Sequence, residues 1–302
     1  MRLTYLLWAA LLALSALAGL GAAWWGRARF VRGRRAVLAV AVFLAVGAAG
    51  GYLAHGPVAE MLAAARLAEA NARADEFFRV DGLLRALAQA EPERADALRA
   101  RLAQALARAA EAVPGEADAP AIEARLHDEA LREALGAAMT RLPNASDEAA
   151  ARLAQALLNA LTSLQNTDSL LCQGLLHPAS ATGAPLTQNA LARLEGGVRK
   201  DLEAALALTL ASSVIRPRAA PLPAQADAAL ADMFAENLPD FQERYGDPKH
   251  VRALFEALAE PEHARSIAPQ VLCAFAQDLL RALLRMPPSE RGPGLRRLLG
   301  AG

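Results

Sequence analysis

From Leu3 to Trp25 the chain carries no charged side chain over 23 positions, and from Ala36 to Ala54 none over 19. At 1.5 Å per residue the first run reaches roughly 35 Å as a helix, enough to cross the hydrocarbon layer of a bilayer with some tilt. In lipid a single segment satisfies its backbone polar groups only by forming a helix. The two runs therefore predict a transmembrane hairpin over residues 1–56, with spans at about 3–25 and 36–54 and a basic turn at 26–35. A cleaved secretory signal is the competing reading of the first run. Its n-region is only Met1-Arg2, and its apolar stretch is far longer than the usual h-region of about 7 to 15 residues.

The turn holds Arg27, Arg29, Arg32, Arg34 and Arg35, whereas Arg2 alone precedes it and the segment after Gly56 offsets Arg66 and Arg73 with Glu60 and Glu69. Such a bias places the turn in the cytoplasm and both flanks outside. The expected location is a bacterial inner membrane, crossed twice, with the large C-terminal domain in the periplasm. Tyr5, Trp8 and Tyr52 would lie near the outer interface and Trp24, Trp25 and Phe30 near the inner one, where amphipathic rings are favoured. Gly47 and Gly51 form a G-x-x-x-G that lets helix backbones touch. Packing within the hairpin is its first use, and homo-oligomer formation its second.

After Pro57 the pattern is helical throughout. Hydrophobic residues make up 54% of the chain but aromatics only 5%, because the apolar content is mostly Ala and Leu, both strong helix formers. Ala95, Leu98, Leu102, Leu106, Ala109 and Val113 recur at steps of three and four. Similar stripes run over Leu126–Leu142, Leu153–Leu164, Leu191–Leu206, Val251–Leu258 and Val271–Leu283, and no strand-like alternation occurs. The expected fold is all-α: the two-helix hairpin followed by an extended multi-helix bundle or irregular helical domain. Residues 57–215 form an Ala/Leu-rich helical domain, 216–224 a proline-rich linker and 225–302 a C-terminal helical segment with an aromatic core. The last division rests on Phe234, Phe241, Tyr245, Phe255 and Phe275, which follow a stretch without aromatics from Arg79 to Met233. Ala204–Ile215 is uncharged but, at twelve residues, too short to span a bilayer, and reads as a buried helix end. Pro92, Asp96 and the RLAQAL of Arg101–Leu106 recur as Pro143, Asp147 and the RLAQAL of Arg152–Leu157, a 51-residue echo that duplication and chance explain about equally well.

The chain offers little overt chemistry. Cys172 and Cys273 are its only cysteines, and in an oxidising compartment a disulfide between them is expected, with two buried thiols as the alternative. His55, His127, His177, His250 and His263 never fall at i,i+4, so no metal site is expected. Lys+Arg and Asp+Glu both total 32, which leaves no basic excess for nucleic acid. Asp227, Asp232, Glu236, Asp240, Glu243 and Asp247 surround Phe234, Phe241 and Tyr245. Phe234, Glu236, Asp240, Phe241, Glu243 and Tyr245 are thus the candidate partner surface, with a merely solvated acidic face as the plainer reading. Pro239 is expected to interrupt the acidic stripe, and Asp247 with Pro248 reads as an N-cap and first turn. No nucleophile elbow, S-x-x-K, H-E-x-x-H, phosphate-binding loop, dinucleotide signature or calcium loop is present. The expectation is a non-enzymatic, cofactor-free scaffold or partner-binding subunit, in contact with the lipid bilayer and with protein partners. An envelope enzyme without a recognisable motif, or a lipid or small-molecule sensor working through a membrane partner, are the alternatives.

Overall fold

A computed structural model describes residues 59–111, 119–178, 183–215 and 224–299. The expected hairpin at 1–56, its five turn arginines, Gly47, Gly51 and His55, and the linker apart from Ala224 lie outside the described residues. Among the described residues all regular structure is helical, and no helix is long and apolar enough to cross a membrane.

Helix α1 covers 59–80. It is followed by α2 (Gly82–Ala90), α3 (Pro92–Glu111), α4 (Ala119–Arg141), a 3-10 turn (Leu142–Asn144), α5 (Asp147–Thr167), α6 (Ser169–Leu176), α7 (Gly183–Arg193) and α8 (Gly196–Ile215). The C-terminal part contains α9 (Ala224–Tyr245), α10 (Pro248–Ala259), α11 (Pro261–Ala264), α12 (Pro269–Arg285) and α13 (Pro288–Leu299). Side-chain caps set several starts by satisfying amide groups that have no partner in the first turn. Asp81 accepts from the Leu84 amide, Ser146 from Ala149, Asp168 from Leu170 and Asp247 from His250. Proline opens α3, α10, α11, α12 and α13, where its missing N–H costs nothing.

Residues Glu69–Gly302 form one compact unit with a continuous core. Its central member is α5, which packs against α6, α8, α12 and α13, while α8 also covers α2 and α4. Across α2 to α8 the buried side chains are almost all Ala and Leu. The echoed RLAQAL segments bury equivalent residues, Leu102, Ala103 and Leu106 in α3 and Leu153, Ala154 and Leu157 in α5. Their helix starts differ, however: Pro92 opens α3, whereas Pro143 sits in the 3-10 turn before the Ser146 cap. The end of α8 buries Leu206, Thr209, Leu210 and Ser213, while Ile215 is 79% exposed.

Two sequence expectations are corrected. The stripe over Leu191–Leu206 is two helices, because the chain leaves helix at Leu194 and Glu195 and restarts at Gly196. Leu194 is buried at this break, so the apolar period continues across it. Pro239 does not end its helix, and α9 runs through it. Both Pro239 and Ala235 are exposed, which puts this turn on the outer side of the helix, where water can replace the lost N–H. Asp232, Glu236, Asp240 and Glu243 accordingly share one outer face at steps of four and three.

The C-terminal helix closes onto the middle of the chain. A Cβ on Gly292 would stand 2.2 Å from the Cβ of Asp147, so α13 reaches the start of α5 only because this position has no side chain. Beside it, buried Arg296 lies 3.0 Å from the Asp147 carboxylate and donates to the Pro143 carbonyl at 3.2 Å.

Candidate functional site

The site begins with a reversal. Gly246, at φ 104°, stops α9, and Asp247 at once caps α10. A side chain is strained at that φ, which favours glycine there. The turn leaves Arg244 and Tyr245 at the end of α9, beside the middle of α12. Beneath them Phe275 of α12, fully buried, meets Phe241, Tyr245 and Phe255 edge-to-face at 5.5, 5.3 and 4.9 Å. Phe255 meets Phe234 at 5.3 Å. Such T-shaped contacts align the positive edge of one ring with the negative face of the next.

Outside this ring cluster lies a groove of about 890 Å³. One wall is a stripe of α12 from Gln270 to Arg281, and α10, the α11–α12 connection, the end of α9 and Gln165 of α5 form the rest. Its apolar part consists of Ala253, Leu254, Ile267, Ala268, Val271 and Ala274, and Val271 is 40% exposed. Its polar centre is Asp278. This carboxylate accepts from the Tyr245 hydroxyl at 2.6 Å and from Arg281 Nη1 at 2.8 Å, and Arg244 Nη1 also donates to it. Burial alone would raise the Asp278 pKa, but the bonds from Tyr245 and the two guanidinium groups outweigh it and hold the carboxyl below its usual range. Burial, then the bond to Asp278, pushes the Tyr245 phenol upward, so it remains protonated. An ionised carboxylate that accepts from three donors and is held below its usual pKa range is a poor base, and a phenol held neutral is a poor nucleophile. What the centre offers is positive charge and further guanidinium N–H groups.

A buried amide supports the groove from within. Gln277 Nε2 donates to Gln165 Oε1 at 2.6 Å, while its Oε1 accepts from Thr162 Oγ1 at 3.3 Å and Arg281 Nη2 at 3.1 Å. Cys172 of α6 and Cys273 of α12 lie next to this network, with sulfurs 2.01 Å apart as a disulfide. The structure thus brings the two cysteines of the sequence together.

A second charged cluster joins α2, α4 and α8. His127 Nε2 lies 3.2 Å from the Asp81 carboxylate, and its Nδ1 faces Arg199 Nη2 at 3.1 Å and Glu203 at 3.8 Å. Arg199 also donates to Asp128 and, at 2.9 Å, to Glu203. The bond to Asp81, aided by Glu203 and opposed by burial and Arg199, raises the His127 pKa. This cluster clasps three helices; it presents no nucleophile to the imidazole.

The residues proposed as a partner surface separate. Phe241 is buried and Phe234 and Tyr245 are half-buried in the ring cluster, whereas Glu236, Asp240 and Glu243 face solvent. Among the described histidines, His177 bonds the Ala257 carbonyl at 2.9 Å, tying α6 to α10, and His250 lines the groove. No group of three His, Cys, Asp or Glu that could hold a metal occurs among the described residues. Sequence reasoning missed Asp278 and Arg281. Neither belongs to a motif, and their partner Arg244 is 34 positions from Asp278.

No protein family, curated protein or solved structure matches this chain. The geometry of the groove therefore has to stand without a relative.

Proposed function

We propose that the chain is a membrane-anchored, non-enzymatic helical module that faces the periplasm and binds a protein partner through the groove bounded by α9, α10 and α12. One observation carries the binding reading. Exposed apolar Val271 lies on the same helical stripe as a polar centre whose guanidinium groups keep donors beyond those spent on Asp278. Exposed apolar surface rimmed by polar groups is characteristic of recognition sites. The anchoring and orientation rest on the uncharged runs 3–25 and 36–54 and the five arginines between them.

The test is a photo-crosslinking side chain placed at Val271 in intact cells, with Arg152 on exposed α5 surface as the control position. Adducts that form reproducibly at Val271 and not at Arg152 are expected. Equal yields at the two positions would remove the groove as the partner site. For orientation, a cysteine introduced at Ala65 is expected to label in cells whose inner membrane is intact. Labelling only after that membrane is broken overturns the periplasmic placement.

A further inference from the structure

We propose that the groove recognises the terminal carboxylate of an extended, apolar peptide segment of the partner, bound by the guanidinium groups of Arg244 and Arg281; this rests on the groove being the partner site.

Charge comes first. Arg244 and Arg281 line the groove, and Asp278 is the single acid among its lining residues, which leaves one positive charge. Asp278 is 11% exposed at its side chain, whereas Arg244 is 65% and Arg281 42% exposed, so the positive groups meet solvent and the negative one does not. Each guanidinium has five N–H donors. Asp278 takes Nη1 of each, and Gln277 takes Nη2 of Arg281. Because both cations are within bonding reach of one carboxylate, they are held close together, and a second carboxylate meets a fork already positioned by Asp278. The buried anion thus orients the site.

Shape decides between ligands. From Gln270 to Arg281 the α12 wall is roughly 16 Å long at 1.5 Å per residue, about five residues of extended chain at 3.3 Å each. The polarity is graded along it. Val271 and Ala274, with Ile267 beside them, form the apolar end, and Asp278 and Arg281 form the charged end. A chain with aliphatic side chains and a carboxylate at its terminus matches both ends. A polyanion does not, because Glu236, Asp240 and Glu243 stand exposed on the outer face of α9, the helix that carries Arg244. The same acids oppose an anionic lipid surface.

The experiment is fluorescence polarisation with the full chain in nanodiscs and a labelled pentapeptide of alanine and leucine, offered as its free acid and as its C-terminal amide. The acid is expected to bind at least tenfold more tightly than the amide, and the Arg244→Gln, Arg281→Gln double variant to bring the acid down to the amide's affinity. Val271→Trp, which leaves the ion network intact, is expected to weaken both forms, and thermal melting checks that each variant folds. Equal affinity for acid and amide, no binding of either, or an acid preference that survives the double variant overturns the inference. Saturable, Arg244- and Arg281-dependent binding of phosphatidylglycerol vesicles would also overturn it in favour of a lipid ligand. If Val271 still crosslinks to a partner while any of these holds, only the carboxylate inference fails; loss of the crosslink removes the groove reading itself.

Discussion

The helices α2 to α8 and the helices α9 to α13 share one core but build it differently. In the first group Ala134, Ala138, Ala150, Ala154 and Ala160 are fully buried beside Leu, so helices meet close to their backbones. In the second, Phe275 and its three ring partners span the spaces between α9, α10 and α12. Small residues give close packing with little room for a cleft. Rings hold helices further apart and fix their angles, and the groove opens on the outer side of that cluster. The polar groups follow the same division: a clasp that closes three helices at His127, and a centre around largely buried Asp278 that opens to solvent through Arg244 and Arg281.

The largest expected effect concerns what joins the two parts. The Cys172–Cys273 bridge closes a loop of 101 residues, and its removal in a Cys172→Ala, Cys273→Ala variant should cost about 4 to 5 kcal/mol in the chain-entropy treatment, read as a lower urea midpoint. An unchanged midpoint would mean that packing alone docks α12. Intact mass before and after reduction must differ by two hydrogens, and two reactive thiols in the unreduced, unfolded protein would remove the bridge. Next is truncation of the ring hub: Phe275→Ala is expected to lose about 3 to 5 kcal/mol. The opposite fault applies to the alanine core, where Ala134→Leu should cost about 1 to 3 kcal/mol through overpacking. If that variant is neutral, the close packing assigned to α2–α8 is wrong. Tyr245→Phe removes one donor to Asp278 and is expected to cost about 1.5 kcal/mol, the lower end of the range for a hydrogen bond to a charged group, because two guanidinium donors remain.

The smallest effect is a pH dependence that arises in the α2–α8 part. His127 has its pKa raised above 6.5, so the stability it contributes is full below that value and is lost as pH rises through the folded pKa. In Asp81, burial opposes ionisation but the bonds from His127 and the Leu84 amide prevail, and its pKa falls below 3.8. Its contribution is present above 3.8 and is lost as pH falls through the lower folded value. The pair therefore stabilises most between the two ordinary values. Melting temperature should fall as pH rises above 6.5 through the raised His127 pKa in the native chain and show less of that fall in His127→Gln. The same fall in both would assign the dependence to other groups.

Much of the fold is legible in the residues. The stripes through α3, α4, α5, α10 and α12, the Asp247 cap and the buried end of α8 follow from periodicity and local hydrogen bonding. The division of Leu191–Leu206 was hidden because Leu194 keeps the apolar period across the break. The continuation through Pro239 was hidden because its effect depends on which side of the helix that turn lies. The sites were harder to read. Asp278 sits among leucines with no motif around it, and Asp81, His127 and Arg199 converge across gaps that no spacing rule connects. Conversely, the aromatics after Met233 were visible as a change of core, but their proximity in sequence to the acids suggested one surface where the helix presents two faces.

The contact of Arg296 with Pro143 has a consequence in time. These residues are 153 positions apart, and at roughly 5 to 20 residues per second synthesis needs about 8 to 30 s to travel between them. Throughout that interval the start of α5 has been made but the helix that covers it has not. The apolar flank of α5 is thus without its final cover on the nascent chain, and a factor that shields emerging helices would have a long window there.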